Sequence, residues 1–137
     1  MGTNFAYDLT MALIPGAIAG YYAGLLTAKL SKFNSLKYEA LRAVMGINYM
    51  GDATSTQIPK SDKVQDLHLI GSELFQLKHK SAGTAVSRIG GEILNAIATC
   101  GMTSYSVETM NQNIASWQKQ LRAARVGGRF FLPWGQI

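Results

Sequence analysis

The sequence predicts an all-α fold: one N-terminal transmembrane helix, then a cytoplasmic helical bundle, the whole assembling as a homo-oligomer. Three observations carry that expectation. Leu9 to Ala28 is a run of twenty residues without a charge, bounded by Asp8 and Lys29. Small residues recur through that run at every fourth position. Beyond it, apolar residues return at intervals of three and four in successive segments, the period of a helix with one buried face.

A helix rises roughly 1.5 Å per residue, so twenty residues cover about 30 Å, the thickness of a bilayer's hydrocarbon core. A buried helix of a soluble protein usually has a polar edge, and this run has no charged position, so the membrane reading is preferred. The division that follows is an anchor over residues 1–30 and a helical domain with an aromatic C-terminal tail over residues 31–137. Within the span, Ala12, Gly16, Gly20, Gly24 and Ala28 form a ridge without bulky side chains. In lipid, helices associate by close van der Waals contact, which such a ridge permits. Pro15 removes a backbone donor beside it and favours a kink. Tyr21 and Tyr22 lie deep for an interfacial belt, so their hydroxyls must find headgroups, a neighbouring backbone or water.

The chain has 137 residues and a formal net charge of +5, with a pI near 9.5, a balance suited to anionic lipid or nucleic acid. Lys29, Lys32, Lys37 and Arg42 follow the span against one acid, Glu39, which by the positive-inside rule sets the N-terminus outside and the C-terminal domain in the cytoplasm. A single pass is therefore expected. A cleaved signal peptide fits poorly, because MGTNFAYD lacks a basic stretch; a myristoylation signal fits only loosely, with Ala6 where Ser or Thr is wanted. Cys100 is the single cysteine, so no intrachain disulfide can form.

Taken in order, Leu30, Phe33, Leu36, Ala40, Leu41, Val44 and Ile47 continue a helical spacing, either as one helix with the span or after a break at Ser31–Ser35. Gly51–Ser61 reads as a loop. A helix should start at Ser61 as N-cap, present Val64, Leu67, Ile70, Leu74 and Leu77, and end near Lys80, with Lys78, His79 and Lys80 at its C-terminus and Gly83 as the break. The next apolar set is Val86, Ile89, Ile93, Ile97 and Cys100, where Gly90 and Gly91 imply close packing or a bend. The last is Val107, Met110, Ile114, Trp117, Leu121 and Ala124, with Ser104 or Ser106 as cap and Gly127 with Gly128 as stop. That seam suits an intramolecular bundle face better than an interchain coiled coil.

Enzyme signatures are lacking. His68 and His79 are the only histidines and stand outside any metal-ligand spacing; the eight acids are scattered, and no nucleophile elbow, phosphate loop or dinucleotide fingerprint occurs. No catalytic residue, cofactor or metal is expected. Lys119, Arg122, Arg125 and Arg129 recur at three or four residues, as on one helix face, and could bind phosphates of an oligonucleotide or lipid headgroups, or be solvated. The tail RFFLPWGQI carries Phe130, Phe131, Leu132 and Trp134, with Pro133 preventing a helix. These apolar groups suit packing into a neighbouring subunit first, the bilayer surface or nucleobases second.

A glycine-ridged N-terminal span, a basic inner flank and a compact helical domain together resemble the small membrane effectors of bacterial anti-phage systems. In order and size of parts the chain is similar to the pore-forming subunit of Hailong-type defence. The resemblance implies an oligomeric ion channel of the bacterial inner membrane, held closed by an oligodeoxyadenylate signal and opened during infection, with Lys119, Arg122, Arg125 and Arg129 as the positions to test for the oligonucleotide. For a pore, the polar lining would come from Thr10, Tyr21, Tyr22 and Thr27, and rings of Lys29 and Lys32 at the inner mouth would favour anions. The competing expectations are a membrane-anchored adaptor and a nucleic-acid binder tethered by the span. The expected partners are thus a second copy of the chain, membrane lipid and an oligonucleotide.

Overall fold

A computed structural model describes residues 2–47, 50–51, 56–57, 62–102 and 106–132. The candidate caps Ser61 and Ser104, most of the Gly51–Ser61 loop, and Pro133 and Trp134 lie outside the described residues. The fold is all-helical apart from one two-residue pairing: α1 is Gly2–Met45, α2 Asp62–Gln76, α3 Lys80–Met102 and α4 Val107–Arg122, followed by a 3-10 turn over Gly128–Phe131. Between α1 and α2, β1 (Met50–Gly51) pairs antiparallel with β2 (Thr56–Gln57).

Helix α1 runs 44 residues without a break, roughly 66 Å. Of the two readings of Ser31–Ser35, continuity is the one realised: Leu30 to Ala40 keeps a helical apolar spacing, and Pro15 sits inside the helix without ending it. Its two halves differ. From Asn4 to Gly24 every residue is exposed except the half-buried Tyr22. From Leu25 onward one face enters the core through Leu25, Lys29, Phe33, Leu36, Ala40 and Val44. Burial thus begins inside the apolar span, before residue 30, while the helix crosses that position uninterrupted.

The core is assembled where the sequence periodicity points. Phe33, Leu36 and Val44 of α1 meet Leu67 and Leu74 of α2, Ile89 and Ile93 of α3, and Met110, Trp117 and Leu121 of α4. Burying one such side chain contributes about 1.5–3 kcal/mol relative to exposure. The seam of α4 is consumed within the chain, as a bundle face. Its N-terminus is capped by Ser106, whose hydroxyl accepts the Thr109 N–H at 3.1 Å, with Glu108 in the first turn.

Helices α2 and α3 form a tight antiparallel hairpin. α2 ends at Gln76 by a Schellman arrangement: the His79 N–H donates to the Leu74 carbonyl (2.9 Å), the Lys78 N–H to that of Phe75 (3.0 Å), and Lys78 takes φ 66°. The chain re-enters a helix at Lys80, so Gly83 is no break. It lies inside α3, where an added Cβ would stand 3.1 Å from both the Gly71 carbonyl oxygen and the Phe75 ring. Gly90 likewise makes room for the His68 ring, at 3.2 Å from the same hypothetical atom, whereas Gly91 faces open space.

Candidate functional site

The structure concentrates its long-range polar contacts along one face of α1, where the chain after α4 is laid against it. Lys37 Nζ donates to the carbonyls of Arg122 (2.6 Å) and Ala124 (3.1 Å). A cation at a helix C-terminus satisfies carbonyls that lack intrahelical partners, and this one does so where α4 ends at Arg122, before the glycines. Further on, Lys29 Nζ donates to the Leu132 carbonyl at 2.7 Å, and the Tyr22 hydroxyl donates to the Phe131 carbonyl. Tyr22, Lys29 and Lys37 are spaced seven and eight residues apart, so they share one side of the helix.

His79 fastens the middle of this strap. It is buried, 4% exposed, beside the Phe33 ring (centroids 4.8 Å apart), and its Nδ1 accepts the Gly127 N–H at 2.8 Å. Burial, with the Lys29 cation adding to it, holds its pKa below the ordinary value. It is therefore a neutral acceptor in the α2–α3 turn, where a helix-terminal charge is the sequence expectation. Gly127 passes so close that a Cβ would fall 2.7 Å from the Lys78 carbonyl oxygen. Periodicity locates neither role, because the partners lie 48 residues apart.

The expected pore-lining groups are dispersed among contacts of their own chain. Thr10 and Thr27 return their hydroxyls to the carbonyls of Ala6 (2.7 Å) and Ala23 (2.9 Å). Lys32 pairs with Glu73 of α2 at 2.6 Å, and that hydrogen-bonded carboxylate raises its pKa. Lys29 is 7% exposed and meets a carbonyl instead of a carboxylate, so its charge is bonded but not neutralised. Tyr21 is exposed.

The small-residue ridge is open: a Cβ built at Gly16, Gly20 or Gly24 meets nothing within 4 Å, and Ala12 and Ala28 are exposed. At 3.6 residues per turn, Thr27, Ser31, Asn34 and Tyr38 fall on the same side as Gly16 and Gly20. These four are exposed too, so one uncharged face runs from the apolar half down the back of the bundle. It lies opposite the strap.

The basic C-terminal residues do not share a helix face. Lys119 and Arg122 are exposed in the last turn of α4, Arg125 is exposed beyond its end, and Arg129 belongs to the 3-10 turn, its side chain outside the described residues. The end of α4 at Arg122 breaks the register that the spacing implied. A polar cluster elsewhere joins α3 to α4: the Trp117 indole N–H donates to Glu92 (2.7 Å), and Arg88 donates to Gln120 (2.7 Å). Among the described residues, no group of three His, Cys, Asp or Glu side chains is gathered. Among the described residues, α1 is the one helix long and apolar enough to cross a membrane. No family model, curated protein or solved structure matches this chain.

Proposed function

We propose that the chain is a homo-oligomeric single-span membrane protein of the bacterial inner membrane that forms a gated, anion-preferring ion channel, its N-terminus outside and its bundle in the cytoplasm. The observation that carries this reading is the open face of α1. It combines an exposed apolar half of membrane length with a side-chain-poor ridge continued by Thr27, Ser31 and Asn34, and the bundle leaves all of it uncovered. Copies of that face turned toward a common axis make a narrow pore without fixed charge, able to close by dewetting. Its preference for anions then comes from the field of Lys29, acting across the helix from the strap side where it meets a carbonyl instead of a carboxylate, more than from Lys32, which is paired with Glu73. A role as an anti-phage effector, and regulation by an oligonucleotide held at Lys119, Arg122, Arg125 and Arg129, belong to the same reading through its layout.

The test is the reversal potential of the reconstituted protein under a salt gradient. The parent should select anions, Lys29→Gln should lower the selectivity severalfold, and Lys32→Gln combined with Glu73→Gln should leave it unchanged. Cation selectivity, or no conductance from an intact oligomer, defeats the channel. A specific observation favours an adaptor as second reading: five of the six candidate lining groups, Thr10, Tyr22, Thr27, Lys29 and Lys32, bond within their own chain. An adaptor keeps the membrane helix and loses the conductance.

A further inference from the structure

We infer that the 3-10 turn Gly128–Phe131 and Leu132 form a second membrane contact, lying in the headgroup and acyl boundary of the inner leaflet beside α1. The inference rests on the membrane-spanning reading of α1 and adds to it where the C-terminal segment sits. The hydrogen bonds set the level. The carbonyls of Phe131 and Leu132 are held by Tyr22 and Lys29, which straddle the inner end of the apolar run at Ala28. Tyr22 is six residues inside that end, about 9 Å along the helix, and interfacial elements bury their apolar faces ~5–10 Å into this boundary.

The chemistry of the exposed side fits that level. Phe131 is 62% and Leu132 36% exposed, an apolar edge facing outward from the strap, while the Lys29 ammonium and the Tyr22 hydroxyl beneath it each donate to a carbonyl of the strap. A Tyr hydroxyl at this depth in lipid would lack a partner, and the Phe131 carbonyl supplies one. Exposed Arg125 follows on the cytoplasmic side, where anionic headgroups attract cations.

A second copy of the chain is the other occupant that exposed aromatics suggest, and the geometry disfavours it. Gly16 and Gly20, the ridge through which copies would approach, lie on the far side of α1, roughly 180° from Tyr22, Leu25 and Lys29 at 100° per residue. With the ridge turned inward, the strap faces lipid.

The experiment places a nitroxide at Phe131→Cys in a Cys100→Ser chain, reconstituted in phosphatidylcholine–phosphatidylglycerol vesicles, and compares collisions with oxygen, enriched in lipid, and with a water-soluble nickel complex. Labels at Ile18→Cys and Arg122→Cys serve as span and aqueous references. The expected result is an oxygen-dominated Phe131 label, shallower than Ile18. A nickel-dominated Phe131 label beside a lipid-exposed Ile18 overturns the inference and leaves the membrane span standing. Nickel access at both sites removes the span and the inference together. Protection of the Phe131 label from both colliders overturns it in favour of packing against protein.

Discussion

His79 stands where the α2–α3 turn, α1 and the returning tail meet, and its Nδ1 must stay unprotonated to accept the Gly127 N–H. Lys29 contributes the cation facing it, and burial disfavours a second charge there. Its folded-state pKa is lowered, so above the unfolded value of about 6.5 both states are neutral and the contact contributes in full. As the pH falls through that value, the unfolded chain takes up a proton that the folded one resists. Stability therefore declines until the folded-state pKa is reached, and then levels off. His79→Asn, which keeps an acceptor near Nδ1 without titrating, should abolish this acid-induced loss. Thermal unfolding in detergent at about pH 7.5 and about pH 5 checks it; equal pH responses of parent and variant would count against the role.

At the scale of elements, apolar spacing made the helical faces legible, since each repeats a local geometry: Val64, Leu67, Ile70 and Leu74 on α2, Met110, Trp117 and Leu121 on α4. Helix ends were less so. α2 stops with Lys78, not glycine, in the left-handed position, and the carbonyl at the end of α4 is satisfied by a lysine 85 residues earlier. Neither cause leaves a trace in neighbouring residues. The strap was hidden for the same reason, its contacts being side chain to backbone across the length of the chain. It predicts different responses from adjacent glycines. Gly127→Ala drives a Cβ into the Lys78 carbonyl and the His79 Cα and should cost about 1–3 kcal/mol, whereas Gly128→Ala meets open space. Limited trypsin digestion in detergent should cut Gly127→Ala faster at Arg125 than the parent, with Gly128→Ala unchanged. Indistinguishable digestion of both variants would show that the tail is not held there.

Across the whole molecule, α1 divides its surroundings: one side carries the bundle and strap, the other a bare stripe from Ala12 to Tyr38. Because the helix is continuous, whatever packs on the stripe in the membrane shares a rigid rod with the core contacts of Phe33, Leu36 and Ala40. Rotation of α1 in an assembly would therefore have to move the bundle, a route by which a signal at the bundle could reach a pore. The stripe was visible in the sequence as a four-residue recurrence, but its extension through Ser31 and Asn34 was not, because polar residues there read equally as a break. Gly20→Leu would fill the stripe where backbones approach and should weaken self-association in detergent by an order of magnitude or more, about 1.4 kcal/mol per tenfold. Ile18→Leu, exposed on the opposite side and similar in volume, should leave assembly as it is. Leu25→Ala is the poorer control, since Leu25 is buried against its own chain. Mass measurement of the detergent-solubilised variants reads the result. If Gly20→Leu assembles as the parent does, α1 meets its partner through another face, and the channel reading loses the surface on which it stands.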